Sequence, residues 1–577
     1  MRALVFASLA LVALSSSACD SRDPAPTPND VAPAWRASRV VVALVVDQLA
    51  LWHVEERFPH LPETGGFKRL RRESAFAELR YGHLQTSTAI GHSTLFTGAP
   101  PHLTRVVANE VLDGDGSDRA IVKDDATRLV GGDGPLARAG ASLGILPPDV
   151  DTLADALREQ RPDVIITCLS MKDRGAVFAC GRDPDTVAWY DPTYGGLVTS
   201  TAFGPSPTWR RALMPFGTEG AAEEYQAVTW NPLDVTWLEA RGVWPARDVG
   251  QGNYAGLGSG FPHELWRTER PAKAMLATPQ ADLLLADAAL AVLDELPEDR
   301  DAFLAVSFSA HDYVMHVFGP DTPEAWDELL RLDAQLGRLL DHLEELYGPD
   351  GYSVVLSADH GGPRSPEGQT SCDPADRFER PCGPATRIFT RELVSASRTA
   401  AERAAGPGVW VRGVVEPFVH LTDAARSLSP EKREALVAEI RTSLLHHPGI
   451  EEVVDVVAMR QAECPPYSDD SRPALVCRSL PRPSSGNVPG DLLLIPRSTA
   501  FFDSGYVEGD GCNHGSPALF DRTVPIFARG FERRAEDGAD FRARRRVDPR
   551  AYSATLASLL EIEPPRGAQG GEILSVP

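Results

Sequence analysis

Seven residues with metal-binding or nucleophilic side chains lie in short motifs that span more than four hundred positions of the 577-residue chain. They comprise three carboxylates, three imidazoles and one hydroxyl: Asp47, Thr88, Asp312, His316, Asp359, His360 and His514. Carboxylates and imidazoles are common zinc ligands, and two metal ions held side by side can activate a nucleophile between them. The set predicts a two-zinc centre for phosphoryl transfer.

Two of the motifs have a spacing that brings a carboxylate and an imidazole together. Asp312 and His316 are four residues apart, so a helix would direct both to one face. Taken alone, this spacing is typical of a surface ion pair, but the preceding apolar strand and the other motifs favour metal binding. Asp359 and His360 follow a predicted strand and precede Gly361, whose freedom allows adjacent side chains to converge.

Thr88 lies where an irregular segment is predicted to become a helix. A hydroxyl at that position can cap the helix, and the backbone N–H groups of the first turn can receive an anion. The two roles are compatible, because a hydroxyl at a helix start can both cap the helix and face an incoming phosphoryl group.

The elements that must position these residues alternate between strand and helix. Apolar, β-branched runs predict buried parallel strands at Val40 to Val46, Val164 to Thr167, Phe303 to Phe308 and Tyr352 to Ser357. Helical patterns follow at 282–296 and after Thr322-Pro323. The predicted fold is α/β, with a central, mostly parallel sheet flanked by helices and the functional groups at the carboxyl ends of its strands.

Two stretches interrupt this alternation and divide the predicted catalytic domain, residues 37–577. Residues of about 110–280 and about 363–490 are rich in glycine, proline and turn residues. We interpret them as insertions that form cap segments over the site.

The charge balance excludes one class of partner. The chain has a formal net charge of −24 and a pI near 5.0, whereas proteins that hold nucleic acid by neutralising its phosphates need a basic surface. Phosphate chemistry here must depend on metals and a few basic side chains, so we expect small-molecule partners and no nucleic acid. A monomeric chain is expected.

The first 36 residues predict export. Residues 1–18 combine Arg2, an apolar run and small residues, which is the layout of a secretory signal. Cys19 has two interpretations: the lipid-modified cysteine of a bacterial lipoprotein, which we favour, or an incidental residue after ordinary cleavage. Residues 19–36 are proline-rich and predict an extended tether. The expected location is the bacterial periplasm or cell envelope, with membrane contact only through the lipid.

Seven further cysteines suggest disulfides in an oxidising compartment. The close pairs Cys372/Cys382 and Cys464/Cys477 are the strongest predictions. Cys168 with Cys180 is a weaker third pair, which leaves Cys512 unpaired.

The motifs resemble those of the phosphate-irrepressible alkaline phosphatases, a threonine-nucleophile branch of the alkaline phosphatase superfamily. The similarity covers nearly the whole mature chain and is carried by 45–49 (VVDQL), 88–93 (TAIGHS), 108–109 (AN), 170–175 (SMKDRG), 309–313 (SAHDY), 316–320 (HVFGP), 358–362 (ADHGG) and 514–517 (HGSP).

The resemblance implies a role for each position. One zinc ion is expected on Asp312, His316 and His514, and the other on Asp47, Asp359, His360 and the Thr88 oxygen. Thr88 is implied as the nucleophile that forms a phosphothreonine intermediate, with Asn109, Lys172 and Arg174 gripping the non-bridging phosphoryl oxygens.

Lys172 and Arg174 favour phosphate monoesters over diesters as substrates. Two zinc ions, three aspartates and a threonine alkoxide sum to zero charge, so the bare centre has no excess charge for a dianion. Lys172 and Arg174 supply two positive charges, which match a monoester dianion. A phosphodiesterase or nucleotide pyrophosphatase on the same scaffold is the alternative, and a non-catalytic surface lipoprotein is an alternative of another class. A sulfatase is disfavoured because the chain has no Cys-x-Pro-x-Arg element.

Overall fold

The computed structural model describes residues 38–575, apart from 114–116, 133, 247–249, 366, 368–375, 381–384, 484–488, 504–506 and 531–539. The predicted signal, Cys19 and the tether lie outside the described residues, as do Cys372 and Cys382. The chain from Ala37 onward forms one compact unit.

The strands of the described residues are Val40–Val46 (β1), Ala75–Arg80 (β2), Glu110–Leu112 (β3), Asp118–Ala120 (β4), Lys123–Gly131 (β5), Gly134–Ala141 (β6), Ile165–Ser170 (β7), Thr186–Asp191 (β8), Gly196–Ser200 (β9), Thr229–Trp230 (β10), His263–Glu264 (β11), Ala302–Phe308 (β12), Tyr352–Ser357 (β13), Thr386–Ile388 (β14), Val411–Val415 (β15), Phe418–Leu421 (β16), Ile450–Asp455 (β17), Leu492–Pro496 (β18), Ala500–Phe502 (β19), Thr523–Arg529 (β20) and Arg546–Val547 (β21).

The α-helices are Leu51–Arg57 (α1), Gly66–Glu73 (α2), Thr88–Thr97 (α3), Pro101–Thr104 (α4), Leu153–Gln160 (α5), Asp173–Cys180 (α6), Met214–Gly217 (α7), Glu223–Gln226 (α8), Val235–Glu239 (α9), Pro271–Ala274 (α10), Pro279–Asp294 (α11), Ala310–Phe318 (α12), Pro323–Tyr347 (α13), Thr390–Ala405 (α14), Asp423–Arg426 (α15), Pro430–Leu444 (α16), Val456–Met459 (α17), Arg472–Ser479 (α18), Leu519–Arg522 (α19) and Arg550–Leu559 (α20).

Strand β1 lies in the middle of the main sheet. All seven of its residues are apolar and buried, as expected for a strand covered on both faces. It pairs in parallel with β12 on one side and β13 on the other, so that Val45 lies opposite both Ser307 and Ser357. The carboxyl ends of the three strands therefore meet at one edge of the sheet.

The main sheet has eleven strands among the described residues, in the order β21-β2-β20-β13-β1-β12-β7-β8-β9-β5-β6. Strands β13, β1, β12, β7 and β8 are parallel, whereas β20 and β9 are antiparallel to their neighbours. The predicted α/β fold with a central, mostly parallel sheet is confirmed.

The first predicted insertion, 110–280, needs correction, since five of its strands, β5 to β9, belong to the main sheet. Its glycines serve hairpin turns, such as Gly195 (φ 73°) between β8 and β9, and do not indicate a segment outside the sheet. The turn-rich composition concealed four of these strands: β8 is parallel to β7, whereas β9, β5 and β6 form antiparallel pairs.

The long helix α13 forms as predicted. The Thr322 hydroxyl accepts a hydrogen bond from Ala325 N, Pro323 occupies the first turn, and the helix ends at Gly348 with φ 72°. A leucine stripe along this helix is buried in the main core. The predicted helix at 282–296 begins earlier, at Pro279, and ends at Asp294.

The second predicted insertion, 363–490, contributes most of a smaller substructure, the described residues of Thr386–Phe502, which we call the cap. Its antiparallel sheet has the order β15-β16-β18-β17. A separate hydrophobic cluster, which includes Leu436 and Ile440 of α16 and Leu492 of β18, forms its core. A further cluster packs Phe418 and Leu475 against Leu84 and Val107 of the main body.

Two disulfides are present in the described residues, Cys168–Cys180 and Cys464–Cys477, and Cys512 is a buried free cysteine. All three agree with the predictions. Among the described helices, none alone is long and apolar enough to cross a bilayer; Pro271–Ala277 with Pro279–Asp294 passes on length and composition only as a pair bent by 91°.

Candidate active site

The central strands place two aspartates at the carboxyl edge of the sheet. Asp47 directly follows β1, and its backbone N–H donates to Phe308 O at 2.9 Å. Asp359 lies two residues after β13, and its Oδ1 accepts hydrogen bonds from Gln48 N and His360 N. Both side chains are buried. The loops after two adjacent parallel strands thus hold each other in place.

Helix α12 carries Asp312 and His316 to the same edge. A buried aspartate, Asp282, accepts hydrogen bonds from Ser309 N and Ala310 N at the start of the helix, which fixes its first turn. His316 Nε2 lies 3.1 Å from Asp312 Oδ1. The predicted convergence of the pair on one helical face is confirmed.

The three predicted ligand histidines share one arrangement. The Nδ1 atoms of His316, His360 and His514 face the backbone carbonyls of Cys512, Gly361 and Thr86 at 2.9, 3.0 and 2.6 Å. A carbonyl accepts only, so Nδ1 carries a proton in each ring, and Nε2 is the nitrogen that faces the carboxylates. This is the tautomer and orientation that outer-shell carbonyls impose on metal-ligating histidines.

Each of these Nε2 atoms points toward a carboxylate. His514 Nε2 lies 3.5 Å from Asp312 Oδ1, and His360 Nε2 lies 3.4 Å from Asp47 Oδ1. The rings of His360 and His514 stack with centroids 3.7 Å apart. Burial, together with the neighbouring His514, holds the pKa of His360 well below its ordinary value, so this ring is neutral at pH 7.

The carboxylates are crowded. Burial and the charges of Asp312 and Asp359 raise the pKa of Asp47 to about 6. The pKa of Asp312 is held well below its ordinary value, because His316 and Lys172 outweigh its burial. Three carboxylates so close together in a buried site need compensating positive charge.

The donor atoms fit metal ions. Asp47 Oδ1, Asp312 Oδ1, Asp359 Oδ2 and His360 Nε2 are buried and make no hydrogen bond within the described structure, although buried polar atoms are rarely left unpaired. At this edge of the sheet, two groups have ligand atoms mutually within 4.8 Å: Asp47, Asp359 and His360, and Asp312, His360 and His514. The first group matches one predicted set; the second contains His360 and lacks His316, which lies beside Asp312.

Thr88 is the first residue of α3, and its side chain is buried at the floor of a cleft. Ser87 occupies the cap position, without a side-chain capping bond. At Gly91, an added Cβ would lie 2.1 Å from Asp359 O, so only glycine permits α3 to approach this strand end. The close approach brings the hydroxyl of Thr88 near the carboxylates.

Lys172, predicted to bind the phosphoryl oxygens, lies among the predicted metal ligands. Its Nζ is 2.6 Å from Asp47 Oδ2, 2.6 Å from Asp312 Oδ2 and 3.3 Å from Thr88 Oγ1. The ammonium therefore contacts the hydroxyl and one carboxylate from each of the two predicted ligand sets.

Arg174 and Asn109 lie beside this centre. Arg174, on α6, lines the cleft, and its NH1 lies 3.6 Å from Asp173 Oδ1. Asn109 Oδ1 accepts a hydrogen bond from Ala89 N at 2.9 Å, which directs the amide donors of Asn109 away from the helix start. All ten predicted site residues converge on one edge of the sheet.

The cleft above Thr88 has a volume of about 700 Å³, in the range of small-molecule sites. Its inner wall carries Lys172 and Arg174. The outer walls come from the β3–β4 hairpin, from Tyr254 and α10, and from the cap at Val414–Pro417.

His92 is a positioning residue to which the sequence assigned no role. Its Nδ1 is 2.9 Å from Thr88 O and 3.3 Å from Asp359 Oδ2, and its Nε2 is 2.8 Å from Ser307 Oγ. It links the helix of Thr88 to the ends of two strands. Thr88 and His92 are four residues apart, and on a helix this spacing indicates that the two residues lie on the same face.

The profile of the type I phosphodiesterase / nucleotide pyrophosphatase family matches residues 41–497. A protein named calcium-transporting ATPase from Myroides odoratus is 26% identical over 549 residues, 93% of this chain and 94% of that protein. Alkaline phosphatase PhoV of Synechococcus elongatus is 30% identical over 376 residues, 63% of this chain and 66% of PhoV. The crystal structure of wild-type alkaline phosphatase PafA has the same fold, with a TM-score of 0.73 at 22% identity, and the match covers 94% of this chain and 99% of PafA.

Proposed function

The chain belongs to the type I phosphodiesterase / nucleotide pyrophosphatase family, and we propose that within it the protein hydrolyses phosphate monoesters to an alcohol and inorganic phosphate. The predicted relationship to alkaline phosphatases is confirmed by the named relatives and the shared fold. The chain is an enzyme of the phosphoester hydrolase class. The metal, the nucleophile and the preference for monoesters are the parts that we propose.

One observation carries the proposal: the Thr88 hydroxyl lies 3.3 Å from an ammonium that also contacts Asp47 and Asp312. A buried hydroxyl in a cleft, beside crowded carboxylates and a cation, has the surroundings of an activated nucleophile.

Two zinc ions fit the donor atoms. Asp312, His316 and His514 would hold one, and Asp47, Asp359, His360 and the Thr88 oxygen would hold the other. His360 lies within reach of both groups and would bind only the second ion. When bound, the ions supply charge stabilisation and acidify hydroxyl groups in the site.

The protein groups act in two displacements. Thr88 Oγ attacks phosphorus in line with the ester oxygen; the P–O bond to the alcohol breaks, and the alcohol leaves with the proton that the Thr88 hydroxyl gives up. Water then attacks the phosphothreonine, which releases phosphate and restores the Thr88 hydroxyl. Arg174 and Asn109 hold the equatorial oxygens in both steps, and Lys172 offsets charge at Thr88.

Lys172 and Arg174 also favour a monoester. A monoester dianion brings one more negative charge than a diester, and two cations beside Thr88 stabilise it more strongly. The family also contains diesterases and pyrophosphatases by its name, so a phosphodiesterase remains the second candidate.

The location is proposed from the sequence: export, with a lipid anchor at Cys19. The two described disulfides support an oxidising compartment. Replacing Cys19 with alanine should release the enzyme from the membrane fraction; retention there would contradict the anchor.

A paired assay tests the reaction. The purified chain should release phenol from phenyl phosphate faster than from methyl phenyl phosphate, lose activity with a chelator and regain it with zinc. Faster release from the diester would favour the second candidate. No activity toward either ester with zinc present would favour the non-catalytic lipoprotein.

A further inference from the structure

A second lysine, Lys273, lines the outer part of the cleft. The chain has only five lysines, and two of them, Lys172 and Lys273, lie in this cleft. Lys273 makes no ion pair with any residue that the structure describes, although the chain has a net charge of −24. An ammonium without an acidic partner in a substrate cleft needs an explanation.

Lys172 and Lys273 each lie near the ring of a tyrosine. Lys172 Nζ lies 5.0 Å from the ring centroid of Tyr313, and Lys273 Nζ lies 5.1 Å from that of Tyr254. Each distance is within cation–π range. Tyr254 is buried, so its ring gives the outer lysine a rigid support.

Lys273 has a second cation, Arg270, as its neighbour on this side of the cleft. Partial burial and the neighbouring Arg270 lower the pKa of Lys273. Apart from Asp312, the acids that line the cleft are Glu110 and Asp118 on the separate β3–β4 hairpin and Glu416 in the cap. An anionic group on the leaving alcohol would be attracted toward α10 and repelled from the hairpin.

We propose that Lys273, supported by Tyr254, forms an outer anion subsite for substrates that carry a second phosphate or carboxylate on the leaving group. The inference rests on the proposed monoesterase function. The inner cations hold the phosphate that is transferred, and Lys273 binds the distal anion without contacting the reacting atoms. The volume of about 700 Å³ accommodates such a substrate.

The experiment compares alkanediol bisphosphates of increasing chain length, each with its own monophosphate, by kcat/KM at low salt. In Lys273→Met, the ratio of bisphosphate to monophosphate should fall roughly fivefold to tenfold at the best chain length, because one charge pair near the surface is lost. Lys273→Arg should retain the ratio. Lys432→Met, at an exposed position on α16, is the matched control and should change neither substrate.

Salt and a carboxylate probe sharpen the test. Added salt should lower the wild-type ratio, since an exposed charge pair is screened, and should not affect the ratio in Lys273→Met. Replacing the distal phosphate with a carboxylate distinguishes a phosphate-specific subsite from a general anion subsite; either preference supports the inference. An unchanged ratio in an active Lys273→Met enzyme would overturn the subsite and leave the monoesterase intact. A wild-type enzyme that hydrolyses neither series would overturn the proposed function instead.

Discussion

The carboxyl edge of the main sheet and the contact between α2 and α13 both bury aspartates, but their electrostatic surroundings differ. At the sheet edge, Asp312 has Lys172 and His316 as neighbours, which hold its pKa well below the ordinary value. At the helix contact, Asp333 accepts a hydrogen bond from Phe67 N at 2.8 Å. Burial there raises its pKa to about 6.

The difference separates two reasons for burying a charge. Asp333 fixes a helix start with one hydrogen bond and pays for it in desolvation. The sheet edge gathers several carboxylates, imidazoles and a lysine, which costs stability unless the cluster binds cations and substrate. Crowding of opposite charges, more than burial alone, marks the functional region.

The most severe test is Thr88→Ala. We expect kcat/KM for a monoester to fall by about a thousandfold or more, because the attacking oxygen is lost, while most of the bound metal remains. Thr86→Ala is the control, since this neighbouring hydroxyl contacts Ser516 O and is not expected to attack. A larger loss in the control would move the nucleophile to Thr86.

The next prediction compares Asp312, a predicted ligand on α12, with Asp282, which accepts hydrogen bonds at the start of that helix. Asp312→Asn should lower metal content, measured by elemental mass spectrometry, and activity by roughly a hundredfold, because a ligand charge is lost. Asp282→Asn keeps a carbonyl acceptor for the helix start and should retain the metal. Equal metal loss in both variants would mean that the helix position, and not the ligand, decides binding.

Arg174→Ala should change the preference of the enzyme between monoesters and diesters. We expect monoester kcat/KM to fall roughly tenfold to a hundredfold, and diester hydrolysis to fall less, because a bidentate contact to a dianion is lost. Arg182→Ala, which breaks an ion pair with Asp155 just after the same helix, is the control. An equal loss for both ester classes in Arg174→Ala would contradict the assignment.

The smallest effect concerns the other region. The pKa of Asp333 in the folded state, about 6, lies above its ordinary value of 3.8, so the wild type loses stability as pH rises between these values. Asp333→Asn should therefore be more stable by on the order of 1 to 3 kcal/mol at pH 8, with no gain below pH 4.

Urea unfolding across pH checks this prediction, with Asp299→Asn, at an exposed loop position, as the control. A constant difference at all pH values would show that the charge of Asp333 is not responsible.

Local patterns in the sequence predicted the central fold and the candidate site residues that the structure brings together. The apolar run of β1 has the observed bounds, and the predicted ligands lie in short motifs at strand ends, on helices and in one loop. Lys273 and Tyr254 could not be found this way, because they approach the cleft through tertiary packing and belong to no recognisable motif. The strands β5, β6, β8 and β9 were concealed by the turn residues around them, and the pKa of Asp333 depends on how two distant helices meet.

The parallel register of β1 with β12 and β13 determines where Asp47 lies relative to the residues after those two strands. A strand advances about 3.3 Å per residue and alternates its faces. Deleting one residue within β1 would shift Asp47 by that distance and turn it to the wrong face. The connection from β13 to β20, residues 358–522, carries the whole cap and supplies predicted ligands only near its two ends, at Asp359 and His360 and at His514. Insertions and deletions within the cap can thus change the outer wall of the cleft, while the predicted ligands keep their positions.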